Sequence, residues 1–220
     1  MLGVTTAGGS IGQFANRAVC VRAIAVNLRG MGGSEPSSRL QPDQKKKSVM
    51  TQAICVITGV GPGTGSALAR RFASGGYRVA MIARDLERLS RLEREIPGSK
   101  GYACDVSDVS QVEATADLIE REFGAPDVVV HNAVGGAFGT FLEIDPAVLN
   151  RNFQINTMGL LYLARRFAPA MVSAGRGTII VTGNTSALRG RAGFAGFAPT
   201  KAGGWQSVSC SIAMWGLGYH

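Results

Sequence analysis

The chain has 220 residues, enough for one domain with a sizeable core, and its 45% hydrophobic and 17% charged content is that of a globular rather than a disordered protein. The formal charge of +8 is uneven: residues 1–49 carry seven Lys or Arg against Glu35 and Asp43, a net +5, which leaves +3 for Met50 to His220 and no requirement for a nucleic-acid partner. No stretch offers the ~20 consecutive apolar residues of a membrane span. Cys20, Cys55, Cys104 and Cys210 are scattered without a C-x-x-C pair, which points to reduced thiols in a cytoplasmic protein with neither disulfide nor metal.

Residues 1–49 are dense in turn residues (Gly8-Gly9, Gly30, Gly32-Gly33, Pro36) and close with Lys45 to Lys47, leaving one apolar stretch, 18–28. Arginines without an acidic residue before Glu35 fit an organellar transit peptide. Met50, just ahead of the first well-marked strand, fits equally a natural start preceded by an upstream start, and this reading is favoured. Either way residues 1–49 are expected to be a poorly ordered extension or linker outside the fold, with residues 50–220 forming one nucleotide-binding domain.

That domain opens with Ile54 to Ile57, an apolar run that stops at a turn carrying Gly59, Gly61, Gly63 and Gly65, after which Ala67, Leu68, Ala69, Phe72 and Ala73 recur at helical spacing. A second apolar run, Val79 to Ala83, completes a βαβ unit of a parallel sheet. Glycines let the backbone N–H groups approach a pyrophosphate, which the helix N-terminus favours electrostatically, so a dinucleotide is the expected ligand. Arg84, just past the second strand, can pair with a 2′-phosphate where an acidic residue would bind a ribose hydroxyl; this favours NADP(H) over NAD(H). The alternative for Arg84 is a solvated arginine at the start of a charged helix, 85–95.

A third strand, 100–104, a helix over 107–123 and a fourth strand, 127–130, follow in βαβ order. The next helix is expected over 146–173, where Leu149, Phe153, Leu160, Leu163, Phe167 and Met171 mark an apolar stripe interrupted by Asn156. A buried amide must find partners or cost ~1–3 kcal/mol, so Asn156 is a candidate site residue. The fifth strand, 177–182, runs into GNTSALRGRAGFAGFAPTKAG, in which Phe197 and Lys201 share a helix face by their i, i+4 spacing.

The turn Thr58-Gly59-x-x-x-Gly63-x-Gly65 resembles the T-G-x-x-x-G-x-G of the short-chain dehydrogenase/reductase family, and the second half of the chain resembles it too. The resemblance implies that Thr58, Gly59, Gly63, Gly65, Arg84, Asp105, Val106, Asn132, Ala133 and Lys201 hold the cofactor, with Asp105-Val106 near the adenine. His131-Asn132-Ala133-Val134-Gly135 is similar to the family's N-N-A-G, with His131 in place of the first Asn and Val134 inserted. Asn156, in an N-x-x-G setting, is implied to hold a water chain to a catalytic lysine, Lys201.

Aligned on Lys201, Phe197 falls where the family has its proton-donating tyrosine and Asn184 where it has a serine. Phenylalanine has no proton to give, a loss typically worth ~10²–10⁴ in rate, whereas Asn184 can still donate to an oxyanion. Thr185 or Ser186 would lend a hydroxyl if the turn were shifted. The resemblance runs from Thr51 to Ala202, and the nineteen residues after Lys201, with Gly203-Gly204, show no helical stripe. The implied fold is therefore a doubly wound α/β domain with parallel strand order 3-2-1-4-5, lacking the family's last strands. The implied function is NADP(H)-dependent hydride transfer to or from a small carbonyl or alcohol, in a monomer or a homo-oligomer. The alternative is a dinucleotide-binding protein without turnover, or an inactive fragment.

Overall fold

The structure is a computed structural model that describes residues 23–27 and 52–216, with side chains described for 52–207. Its sheet has six strands: β1 (Ala23–Asn27), β2 (Ile54–Thr58), β3 (Arg78–Ala83), β4 (Ser99–Ala103), β5 (Val128–His131) and β6 (Thr178–Thr182), in the spatial order β1-β6-β5-β2-β3-β4. β2 to β6 are all parallel, so the five strands of the domain stand in the expected order 3-2-1-4-5.

Helices cover both faces, which is why β2, β3 and β5 read as near-continuous apolar runs rather than as alternating ones. Val56, Ala80, Ile82 and Val129 face a core completed by α3 (Val109–Glu122) and α5 (Gly159–Ser173) through Ile119, Leu163, Phe167 and Met171. Cys55, Ile57, Val79, Met81 and Val130 face the other core, against Ala69 of α1 (Thr64–Ser74) and Leu89 and Leu92 of α2 (Leu86–Glu95). Both described cysteines, Cys55 and Cys104, are free and buried, and burial pushes both thiols up from their ordinary range. Asp85, Asp108 and Asp145 cap α2, α3 and α4 (Pro146–Phe153) by accepting backbone N–H bonds in the first turn.

Three features depart from the sequence reading. Residues 23–27, inside the segment expected to lie outside the fold, pair antiparallel with β6, Ala23 opposite Thr182 and Asn27 opposite Thr178. The pairing satisfies backbone groups along an edge of β6 that would otherwise be open, a gain no periodicity announces in a five-residue segment set among glycines. The rest of 1–51 and residues 217–220 lie outside the described residues.

The helix expected over 146–173 is interrupted at Gln154–Met158 by a π-helical turn holding Asn156. Such turns carry a side chain out of the regular register and recur at functional sites.

The chain after Lys201 does form a helix, α6 (Ala198–Gly216). Gly203 and Gly204 stay in it because they let α6 press on its neighbour: a Cβ at Gly203 would stand 3.1 Å from Thr157 Oγ1, and one at Gly204 3.3 Å from the Asn156 carbonyl. The ~1 kcal/mol that each glycine costs a helix is offset by this close approach, which a search for an apolar stripe does not detect.

Candidate active site

The carboxyl ends of β2, β3, β5 and β6 meet on one side of the sheet, and the sequence-selected residues gather there. At the end of β2 the chain turns into α1 through Gly59, whose φ of +69° suits glycine. A Cβ there would lie 2.4 Å from the Ala133 Cα, and one at Gly65 would lie 2.3 Å from the Gly59 carbonyl oxygen. These two glycines are demanded by the packing of the protein itself. Gly61 and Gly63 are not: a Cβ at either meets nothing within 4 Å. Bare backbone beside open space, leading into a helix whose first turn has neither a side-chain cap nor an acidic residue, is what a phosphate needs to approach N–H groups closely. The residues present therefore fit a dinucleotide.

Thr58 closes the turn against the neighbouring strand. Its hydroxyl oxygen accepts from the N–H of Asn132 at 3.2 Å and of Ala133 at 3.4 Å, and Asn132 Nδ2 donates to the Gly59 carbonyl at 2.9 Å. Arg84 is exposed, just past the end of β3. Its charge acts on Asp105, as does that of Arg151, 3.3 Å away. Burial raises the Asp105 carboxyl, but its hydrogen bonds from Ser107 and these two charges outweigh burial and hold it below its ordinary value. Val106 is buried beneath it, against Gly159.

Asn156 is almost fully buried and fully engaged. Its Oδ1 accepts from the Gly135 N–H at 2.8 Å, and its Nδ2 donates to the Gly135 carbonyl at 2.8 Å and to Thr200 Oγ1 at 2.7 Å. Thr200, wholly buried, passes its own proton to the Phe197 carbonyl at 2.7 Å. Asn156 thus clamps the loop after β5 to the first turn of α6, and neither amide proton is left for a water chain. Asn152, unmarked by the sequence reading, does similar work by donating to the Gly196 carbonyl at 2.9 Å; its only sequence signal is another amide near the same apolar stripe.

At the end of β6, Asn184 caps a 3-10 turn, Thr185–Ala187, its Oδ1 accepting from both the N–H and the hydroxyl of Ser186 at 2.9 Å. The backbone donor fixes the orientation of the amide, so the Asn184 NH₂ group has no partner among the described residues and is the free donor at this end of the site. Ser186 is buried and its hydroxyl is spent on Asn184.

Phe197 is buried, its ring 5.8 Å from that of Phe138, which packs edge-on against Phe194 at 5.2 Å. Lys201 Nζ lies 5.7 Å from the Phe197 ring centre and donates to the Thr182 carbonyl at 3.3 Å. No carboxylate among the described residues pairs with this amine, and burial lowers its pKa from 10.5 to about 8. Beside this group a cavity of about 730 Å³ opens between the 186–195 loop and α6, with Phe141, Leu188, Phe194 and Pro199 in its apolar wall and Arg189 and Arg191 as its charged lining. It adjoins the site through Ser186 and Ala198 rather than through Phe197 or Lys201 themselves.

Among the described residues no three His, Cys, Asp or Glu side chains could hold a metal ion together, and no helix is long and apolar enough to cross a membrane.

A sequence profile of the family described as short chain dehydrogenase matches residues 53–213. The chain is 32% identical over 171 residues to the NADPH-dependent pterin aldehyde reductase of Arabidopsis thaliana, covering 76% of this chain and 69% of that protein. It is 29% identical over 131 residues to the D-threitol dehydrogenase of Mycolicibacterium smegmatis, covering 58% of this chain and spanning half the length of that relative. A solved metagenomic short-chain oxidoreductase in complex with NADP superposes with a TM-score of 0.69 at 33% identity, over 74% of this chain and 77% of that one.

Proposed function

Because the chain belongs to the short-chain dehydrogenase family, we propose that it binds NADP(H) across the ends of β2 and β5 and supports hydride transfer to or from a small carbonyl or alcohol. The observation that carries this reading is the glycine turn, in which Gly59 and Gly65 are required by the protein's own packing while Gly61 and Gly63 leave bare backbone open to a ligand. Arg84, exposed and without a hydrogen-bonded partner among the described residues, favours the phosphorylated dinucleotide, in keeping with the relative named for NADPH and the structure solved with NADP. Buried free thiols at Cys55 and Cys104 accord with a reducing, cytoplasmic setting.

A bound nicotinamide would supply the hydride chemistry. For its part the chain offers the Asn184 NH₂ group as a donor toward a substrate oxygen, and the Lys201 ammonium to hold the ribose next to the nicotinamide. It offers no hydroxyl at Phe197. A second reading, binding without turnover, is favoured by that one residue, whose ring packs under Phe138 as ordinary core.

Fluorescence titration with NADPH and NADH tests the cofactor assignment. NADPH is expected to bind about one to two decades more tightly, the worth of a charge-assisted bidentate contact of ~1.5–3 kcal/mol, and Arg84→Ala should abolish the difference. Equal affinities in the unmodified chain would refute the assignment.

A further inference from the structure

We infer that His131 is a positioning residue: as a neutral ring protonated at Nε2, it accepts a hydrogen bond from the Thr58 hydroxyl at Nδ1 and thereby fixes the Asn132-Ala133 turn over Gly59. The Thr58 hydroxyl has one hydrogen and two lone pairs, and the lone pairs face the N–H of Asn132 at 3.2 Å and, in a longer contact, that of Ala133 at 3.4 Å. Its hydrogen has two candidate acceptors. One is the Val130 carbonyl at 3.5 Å, outside the usual range for a hydroxyl donor, and the other is His131 Nδ1 at 3.1 Å.

A hydrogen on Nδ1 would force the Thr58 oxygen to accept a third donor and its own hydrogen onto the long contact. Nδ1 is therefore the acceptor, and the ring hydrogen sits on Nε2. The pairing is built into the sheet, where Thr58 stands directly opposite His131 in the β2–β5 register.

His131 is 2% exposed, and its Nε2 reaches no hydrogen-bond partner among the described residues, so the ring carries its Nε2 hydrogen as an unmet donor, a cost borne for the Thr58 contact. The backbone groups of Ile155 and Asn156, in the π-helical turn, favour a proton on the ring, but burial and then the Lys201 charge outweigh them and hold the imidazole neutral. Thr58 faces it from β2 and Gly159 from the start of α5. No carboxylate among the described residues acts on it. The ring thus lies between the glycine turn and the π-helical turn that carries Asn156.

The inference is tested on the unliganded full chain, independently of whether a dinucleotide binds. Long-range proton–nitrogen NMR, with His220 separated by comparison with His131→Asn, should show an unprotonated Nδ1 and a protonated Nε2 that do not change between pH 8 and pH 5. A hydrogen on Nδ1, or exchange between the two tautomers, would overturn the assignment.

The positioning role is read from amide hydrogen exchange. In Thr58→Val and in His131→Leu the Asn132 and Ala133 amides should exchange at least tenfold faster, while those of Val129 and Val130 stay within about twofold; His131→Asn, which retains an acceptor, should recover most of the protection. Uniform acceleration across β5, or unaltered Asn132 and Ala133 amides, would show that His131 only fills space.

Discussion

The two halves of the site are built on different terms. Where β2 turns into α1, the candidate site is made of backbone: Gly59, with its positive φ, and Gly65 cannot take a side chain without collision, and Gly61 and Gly63 leave backbone open beside them. Where β6 leads into α6, the candidate site is made of single side-chain groups: Asn184 before a 3-10 turn, and Phe197 and Lys201 at the start of α6. Phe197 fills the space of an aromatic residue, and the helix, the Thr200–Asn156 clamp and the Lys201 spacing persist around it. Gly59 and Gly65 therefore tie the first half to the fold, whereas a side-chain site can lose its chemistry while the fold stands.

The sharpest way to break this comparison is within the glycine turn itself. Gly65→Ala puts a Cβ 2.3 Å from the Gly59 carbonyl and 2.7 Å from the Val60 Cα. Backbone cannot step aside, so the variant should lose about 3 kcal/mol or more of stability. Gly63→Ala meets no protein atom within 4 Å and should cost the fold about 1 kcal/mol or less, yet weaken NADPH binding at least tenfold, about 1.4 kcal/mol. Denaturant unfolding and fluorescence titration of the pair decide it; equal destabilisation by both would erase the distinction between glycines kept for packing and glycines kept for a ligand.

Acid sharpens the same contrast at His131. The folded ring's pKa is lowered from 6.5 to about 4, so above pH 6.5 folded and unfolded chains both hold it neutral. As pH falls from 6.5 toward 4 only the unfolded chain takes up the proton, and stability drops by roughly 3 kcal/mol across that window. His131→Asn should remove this part of the slope while leaving the carboxylate-driven loss at lower pH.

A smaller effect of the same sign, in a higher pH window, belongs to Lys201. Burial lowers its pKa to about 8, so at pH 7 the folded chain bears the full cost of an unpaired ammonium. Allowing for its partial exposure, Lys201→Met should raise stability at pH 7 by about 1–2 kcal/mol. The advantage should shrink as pH rises from 8 toward 10.5, where the folded lysine is already neutral and only the unfolded one is charged. A destabilised Lys201→Met at pH 7 would mean that the amine is a structural anchor rather than a group kept at a cost.

The same asymmetry governs how much could be read from the sequence. The strands β2, β3 and β5 are legible because both their faces are buried, and the turn because Thr58, Gly59, Gly63 and Gly65 fall at fixed spacing along one short stretch of backbone. Phe197, Asn184 and Lys201 are locatable by spacing, but their surroundings are not. That the Asn184 oxygen is spent on Ser186, that Asn156 is saturated by Gly135 and Thr200, and that His131 sits against Thr58 are consequences of contacts 2 to 73 residues apart. Strand Ala23–Asn27 and helix α6 escape sequence reading for a related reason: their stability comes from what they press against, an open edge of β6 in one case and the Asn156 turn in the other.

If the binding half works and the chemical half lacks only one hydroxyl, single-turnover NADPH oxidation with a simple aldehyde should separate the unmodified chain from Phe197→Tyr. Lys201 Nζ stands 5.7 Å from the ring centre, and a cation that near to the ring favours the ionised form of a hydroxyl added to it. NADPH affinity should be unchanged and the rate raised about 10²-fold or more. A brisk rate in the unmodified chain that Phe197→Tyr leaves unaltered would contradict that expectation.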